Sequence, residues 1–353
     1  MGFSLRIMAA GWVVTGAVTA GVASAQNPAP AAAPAAQQAP PAAASPAQSA
    51  APAKKPRDPV EKLSLETSDG IALAAWHYRA AGEAERPPVV ILLHDLDGSH
   101  ATVEPLAKEL ARRGTAVVAP DLRGHGASTA RQTAAGEETI EARSLKKPDF
   151  EAMTLTQGGR VRDQSAIRGD IECVRNWIKV RADEGKLDID RLFVVGSGLG
   201  CTLAAMWAIN DAAWPDLVAG PQGRQVRGLV FISPTWSSRS LTVSPVLAAD
   251  LIRRELPVMV LAGRDDRDAV KLFDQLKRQR PNEWFEQRAG QAAPTKAAKL
   301  EGSPTLYLLQ RDSDLSGDQL ASMRSPDPRR AGGDPAALIQ GFISAVAPPT
   351  EDE

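Results

Sequence analysis

Short apolar runs alternate with amphipathic stretches along the chain from about residue 60 to residue 346. Residues 63–67 and 71–78 flank Ser68-Asp69-Gly70, a turn signal that predicts a β-hairpin. Later runs have the length and apolar content of buried strands: 89–93, 115–119, 192–195, 229–232, 258–262 and 305–309. Segments with a 3.6-residue apolar period predict helices: 103–112, 165–182, one from near Leu199, 269–278 and 335–346.

This alternation of strands and helices predicts an α/β fold. Strands that are apolar throughout are buried on both faces, so we expect a mostly parallel sheet with helices on both faces. Ligands of such sheets bind beyond the carboxyl ends of the strands. The loops that follow the strands are therefore the expected positions of functional residues.

The two ends of the chain differ from this domain. Arg6, the apolar stretch after it and Ala23-Ser24-Ala25 predict a secretory signal peptide, with an uncleaved membrane anchor as the alternative. The protein is therefore expected to be exported, to the periplasm or outside the cell. The predicted segments are a signal peptide (1–25), a disordered linker rich in Pro and Ala (26–57), a folded domain (58–346) with a polar insertion at about 129–160, and an acidic tail (347–353).

Composition and charge narrow the expected partners. The 353 residues are 43% hydrophobic and 24% charged, which is enough for a sizeable core. A net charge of -1 and a pI near 6.5 leave no basic surplus, so we expect no nucleic acid and no membrane contact beyond the signal peptide. Cys173 and Cys201 fall in predicted helices and are expected to be buried free thiols, although export permits a disulfide.

Three motifs follow predicted strands. They are Leu92-Leu93-His94-Asp95-Leu96-Asp97-Gly98, Pro120-Asp121-Leu122-Arg123-Gly124-His125-Gly126-Ala127-Ser128 and Phe193-Val194-Val195-Gly196-Ser197-Gly198-Leu199-Gly200-Cys201. Together they resemble the α/β-hydrolase family, especially its lipase-like and serine-aminopeptidase-like members. The second motif is the most specific, because it is very close to the family's Asp-x-Arg-Gly-x-Gly-x-Ser signature. The resemblance implies the α/β-hydrolase fold, and the short segment between Pro234 and Pro257 predicts no large lid domain.

The third motif stands where the family has its nucleophile elbow, G-x-S-x-G. Placing Gly196 and Gly200 on the two outer glycines puts Gly198 at the nucleophile position, so the reactive hydroxyl is missing. Ser197 is the alternative nucleophile. Its flanking small positions would then be Val195 and Leu199, which are bulky for so close a turn.

The other two members of the family's Ser-acid-His triad follow the elbow along the chain. The histidines of this sequence are His77, His94, His100 and His125, and all of them precede the elbow. The loop where the family histidine is expected contains carboxylates instead, over residues 310–314. Asp266 matches the position of the triad acid, or it is a helix N-terminal carboxylate that the helix dipole favours.

The first motif corresponds to the loop that completes the family's oxyanion hole, with Asp95 in place of the usual glycine. His94, Asp95, Leu96 and Leu199 are therefore expected around the cleft. The helix that opens at Gly198 is expected to present backbone N–H groups that could bind an anion.

Carboxylates are expected to gather at the same edge of the sheet: Asp95, Asp97, Asp265, Asp266, Asp268, Asp312 and Asp314. Because Arg264, Arg267 and Arg311 are interleaved with them, we expect salt bridges and no metal site, and the sequence implies no cofactor.

These features favour an exported, non-catalytic protein of the hydrolase fold that binds a small molecule or a protein. One alternative is an unusual ester or amide hydrolase that uses Ser197 with His94 or His125, or an activated water. Another is an envelope scaffold in which the domain serves as an interaction surface.

Overall fold

The computed structural model describes residues 59–156, 169–214, 223–291, 305–324 and 334–348. The predicted signal peptide, the linker, part of the insertion and most of the acidic tail lie outside these residues. Within the described ranges, no helix is both long and apolar enough to cross a bilayer.

Thirteen strands occur in the described part of the chain. They are β1 (Val60–Glu66), β2 (Ala72–Tyr78), β3 (Pro88–Leu93), β4 (Ala116–Pro120), β5 (Ala130–Thr133), β6 (Gly136–Thr139), β7 (Asp188–Ser197), β8 (Val226–Ile232), β9 (Ser237–Ser238), β10 (Leu241–Thr242), β11 (Val258–Ala262), β12 (Trp284–Gln287) and β13 (Leu306–Gln310).

Nine of these strands form the central sheet, in the order β1-β2-β4-β3-β7-β8-β11-β13-β12. β2 pairs antiparallel with both β1 and β4, and the remaining neighbours in this sheet are parallel. The predicted hairpin and the predicted mostly parallel sheet are therefore confirmed. The strand β12 at the far edge was not predicted, because it is short and only half-buried.

Eight α-helices occur in the same ranges. They are α1 (His100–Arg112), α2 (Lys147–Met153), α3 (Asp170–Asp183), α4 (Leu199–Ala212), α5 (Ser244–Ala248), α6 (Arg267–Lys277), α7 (Gly317–Ala321) and α8 (Pro335–Val346). The side chains of α1, α7 and α8 pack on one face of the sheet, and those of α3, α4, α5 and α6 pack on the other.

Side chains along a strand point alternately to the two faces, so a strand covered on both faces must be apolar throughout. In β7, Val194 packs with the α3–α6 side and Val195 with the α1, α7 and α8 side. This is the reason for the continuous apolar runs in the sequence, and it confirms helices on both faces of the sheet.

The polar stretch before α3 is only partly the surface excursion that its charges predicted. β5 and β6 pair as an exposed antiparallel hairpin. The helix α2, however, buries Phe150 and Met153 against the core. Two apolar side chains in a charged stretch are too few to give a periodic signal, so the sequence did not predict this helix.

The Asp-x-Arg-Gly motif fixes the loop after β4 by hydrogen bonds and charge. The Asp121 carboxylate accepts the backbone N–H of His100 at 2.7 Å and that of Ala127 at 2.7 Å. Arg123 is buried and donates to Asp170 at 2.6 and 2.9 Å and to Asp69 at 2.7 Å. The most specific motif of the sequence therefore connects the loop after β4 to the first residues of α1 and α3.

Both cysteines are buried and neither forms a disulfide, as the sequence predicted. Cys173 lies in α3 and Cys201 lies in α4.

Candidate functional site

A sharp turn joins β7 to α4 at Gly198. This residue has φ 52° and ψ -116°, a backbone conformation that residues with a Cβ rarely adopt. A Cβ at Gly196 would lie 2.4 Å from the carbonyl oxygen of Gly200, so strand and helix approach too closely for a larger residue. The geometry places Gly198 at the apex of the turn and the two other glycines on either side of it.

The place above this apex is filled by the carboxylate of Asp95, from the loop after β3. A Cβ built on Gly198 would lie 2.0 Å from Asp95 Cγ and 2.0 Å from its Oδ1. No side chain at position 198 can coexist with Asp95 in this conformation, because non-bonded heavy atoms do not approach so closely. Glycine is thus required at the apex for both its backbone angles and its missing side chain.

Two backbone N–H groups hold the Asp95 carboxylate in place. Its Oδ1 accepts from Leu96 at 2.7 Å and from Leu199 at 2.8 Å. Leu199 directly follows the apex and Leu96 belongs to the loop after β3, so these are the two kinds of N–H group that form the oxyanion hole of a G-x-S-x-G elbow. The expectation that the start of α4 offers a free N–H group to an external anion is wrong at Leu199, since Asp95 already occupies it.

Burial raises the pKa of Asp95. The N–H groups of Leu199 and Leu96 counteract this effect, and the negative charges of Asp318 and Asp97 add to it. Two backbone N–H donors thus hold the carboxylate.

Asp318 was not among the predicted site residues. It lies in the first turn of α7, and its Oδ1 accepts the backbone N–H of Asp95 at 3.0 Å. Its Oδ2 accepts the Thr102 hydroxyl at 2.5 Å. Asp318 therefore fixes the backbone of the loop that carries Asp95.

The loop after β13 approaches Asp95 at Gly317 and Asp318, which follow the stretch 310–314 where the family histidine is expected. A Cβ at Gly317 would lie 2.9 Å from Asp95 Oδ2. Asp312 and Asp314 instead contact Arg264 at the surface, at 2.5 and 3.5 Å. The sequence signal that could have located this part of the loop is the Ser316-Gly317 pair, the N-cap and the first residue of the short helix α7.

Ser197, the alternative nucleophile, is the last residue of β7 and is fully buried. It shares a face of the strand with Val195 and lies on the side where α7 packs, because side chains alternate along a strand. Its Oγ has no hydrogen-bond partner among the described residues and lies 3.9 Å from the position of a Cβ on Gly317.

Both ring nitrogens of His94 form hydrogen bonds with backbone groups. Its Nε2 accepts the Leu122 N–H at 3.1 Å, so its Nδ1 carries the proton and donates to the Asp95 carbonyl oxygen at 2.7 Å. Burial lowers the pKa of His94 to about 4, which keeps the ring neutral. These contacts leave His94 no nitrogen with which to accept a proton from a serine.

His125 lies beside His94, with the ring centroids 5.1 Å apart. Its Nδ1 lies 3.0 Å from the carbonyl oxygen of Arg123 and donates to it, and its Nε2 has no partner among the described residues. The sequence placed both histidines near the same edge of the sheet, and the structure brings them together there.

Asp266, at the position of the triad acid, is the N-cap of α6. Its Oδ1 accepts the Ala269 N–H at 3.0 Å. Burial raises its pKa, and its Oδ2 has no hydrogen-bond partner among the described residues. Over the same residues, no group of histidine, cysteine, aspartate and glutamate side chains has the arrangement needed to hold a metal ion.

Comparison with known proteins identifies the family to which the chain belongs. The model of the alpha/beta hydrolase family matches residues 90–344. The chain belongs to this family. The resemblance that the three motifs carry is thereby confirmed.

Solved structures of the same fold include esterases. One of two fungal esterases from Rhizomucor miehei is 15% identical, with a TM-score of 0.50 over 81% of this chain and 83% of that one. A hyperthermophilic esterase from the archaeon Pyrobaculum calidifontis is 18% identical, with a TM-score of 0.49 over 84% and 86%. At these identities the likeness shows the fold alone. No curated protein matches the chain.

Proposed function

We propose that this protein is an exported, non-catalytic member of the alpha/beta hydrolase family that binds a small molecule or a protein. The observation that carries the proposal is the position of Asp95. Its carboxylate fills the space above Gly198 and accepts the N–H groups of Leu96 and Leu199. Acyl transfer needs a nucleophile in that space and free donors for the oxyanion, and both are taken by one side chain.

The surroundings of Asp95 support the same conclusion. A charged carboxylate would repel the negative charge that develops on an acyl carbonyl during attack. The described residues offer no histidine after the elbow to take up a serine proton, and His94 has both nitrogens engaged. The family's scaffold is therefore retained without the groups that perform its chemistry.

Labelling with a fluorophosphonate probe, which reacts with activated serines, tests this proposal. We expect no labelling of the purified native protein under conditions in which an active serine esterase is labelled completely. The Ser197→Ala variant is the matched control, because it removes the hydroxyl of the residue directly before the elbow apex. Labelling of the native protein that is lost in Ser197→Ala would overturn the proposal in favour of a hydrolase.

Export is the second part of the proposal. It is supported by Arg6, the apolar stretch after it and Ala23-Ser24-Ala25. Expression in a bacterial host, followed by fractionation and intact mass measurement, tests it. We expect a periplasmic or secreted protein whose mass corresponds to a chain that begins at Gln26. A cytoplasmic protein that retains Met1 would contradict this part, whatever the labelling result.

A further inference from the structure

A cavity of about 380 Å³ lies beside the elbow at the carboxyl edge of the sheet. It is lined by loops that follow β3, β8, β11 and β13, which are the positions where ligands of parallel sheets bind. Its size is within the range of small-molecule sites. Asp95 and Gly317 form part of its wall, so the cavity adjoins the space above the elbow apex at Gly198.

Negative groups dominate the wall of this cavity. Five carboxylates line it, those of Asp95, Asp265, Asp266, Asp268 and Asp314. A single guanidinium, that of Arg267, accompanies them. Asp314 is mostly exposed and lies 3.5 Å from Arg264, so part of its charge is balanced outside the cavity.

A second feature is independent of charge. Ser233 is 5% exposed and lines the cavity, and its Oγ has no hydrogen-bond partner among the described residues. Thr235 Oγ1 and Asp266 Oδ2, in the same wall, are buried and also lack partners there. The Ser233 hydroxyl lowers the pKa of Asp266, although the two side chains do not reach hydrogen-bond geometry.

Buried polar atoms without partners are rare in folded proteins, because their desolvation is not offset by a hydrogen bond. A carboxylate oxygen can only accept, so the partner of Asp266 Oδ2 must be a donor. Burial also raises the pKa of Asp266 and of Asp95, because desolvation disfavours the charged form of a carboxylate.

We propose that this cavity binds an organic cation with several N–H donors, such as a primary ammonium or a guanidinium group. The inference rests on the proposed function, because it specifies the ligand of a binding protein. Asp266 Oδ2 and the Ser233 hydroxyl accept the N–H groups, and the other carboxylates supply charge. An anion is disfavoured because Asp95 already occupies the N–H groups of Leu96 and Leu199.

Calorimetric titration of the purified protein with agmatine, a four-carbon chain bearing an ammonium and a guanidinium, tests the inference. The experiment is done at about 0.15 M salt, so that exposed charges at the rim are screened. We expect saturable binding with a Kd below about 1 mM. Tetramethylammonium, which is a cation without N–H donors, is expected to bind at least about ten-fold more weakly.

Variants locate the binding. Asp266→Asn keeps the ability to cap α6 and removes the charge, so we expect about ten-fold weaker binding of agmatine. Ser233→Ala is expected to weaken it about five-fold. Asp312→Asn is the matched control, because Asp312 contacts Arg264 and does not line the cavity, and binding should stay within about two-fold.

Absence of saturable heat with agmatine, equal binding by Asp266→Asn, or equally tight binding of tetramethylammonium would each overturn the inference. Displacement of agmatine by an equimolar amount of calcium chloride would also overturn it, in favour of a metal site. These outcomes are separate from failure of the proposed function, which is decided by fluorophosphonate labelling that depends on Ser197.

Discussion

The close contact between Gly198 and Asp95 predicts a strong energetic coupling between the two positions. A Cβ at Gly198 lowers the free energy of unfolding in two ways. The first is backbone strain at φ 52°, about 1–3 kcal/mol for a residue other than glycine. The second is displacement of the Asp95 carboxylate, which would be 2.0 Å from the new atom and would lose its two N–H donors.

Hydrogen bonds to a charged group contribute about 1.5–3 kcal/mol each, although a displaced carboxylate regains part of this from water. We therefore expect Gly198→Ala to lower the free energy of unfolding by about 3–5 kcal/mol. With Asp95→Ala already present, only the strain of about 1–3 kcal/mol remains. The coupling energy of the double-mutant cycle is then about 2 kcal/mol.

Urea unfolding of the native protein, the two single variants and the double variant measures this coupling. Gly185→Ala is the matched control, because Gly185 has φ 73° and a Cβ there would have open space around it. It should show strain alone and no coupling to Asp95→Ala. A coupling below about 0.5 kcal/mol between positions 95 and 198 would show that the Asp95 carboxylate does not occupy the space above Gly198.

Three further predictions concern buried ionisable side chains. Asp170→Asn leaves the buried Arg123 without its main partner and should cost about 3–5 kcal/mol of unfolding free energy, whereas a similar change of an exposed aspartate should cost under about 0.5 kcal/mol. Arg280→Met removes the donors to five acceptors, four of which are backbone carbonyl oxygens. We expect it to lower the free energy of unfolding by about 3 kcal/mol in a thermal unfolding experiment, and an unchanged melting temperature would contradict this. Because the pKa of His94 is about 4 in the folded protein and about 6.5 when unfolded, its contribution to stability falls as the pH decreases between these values. The stability advantage of the native protein over His94→Gln should therefore shrink by about 3 kcal/mol from pH 7 to pH 4, and a constant difference would show that His94 is not held neutral.

The fold could be predicted from the sequence because its signals are local. Buried strands are continuous apolar runs, and the elbow is specified by glycines at positions 196, 198 and 200, where strand and helix approach. The motif around Arg123 correctly marked the loop after β4. In each case the physical requirement lies within a few neighbouring residues.

The key contacts of the site could not be predicted in the same way. Asp95 and Asp318 are 223 positions apart, and no periodicity links them. The sequence identified Asp95 as a substituted glycine but gave no information on where its carboxylate would point. That direction depends on the N–H groups of Leu96 and Leu199, which the fold brings together only after β3 and β7 have paired.

If the Asp95 carboxylate occupies the place of the nucleophile, the protein does not catalyse acyl transfer. Hydrolysis of p-nitrophenyl butyrate by the purified native protein, measured beside Ser197→Ala and His125→Ala, tests this. We expect all three proteins to give the same rate as an inert control protein. A faster rate for the native protein that disappears in Ser197→Ala or His125→Ala would show that the protein is a hydrolase.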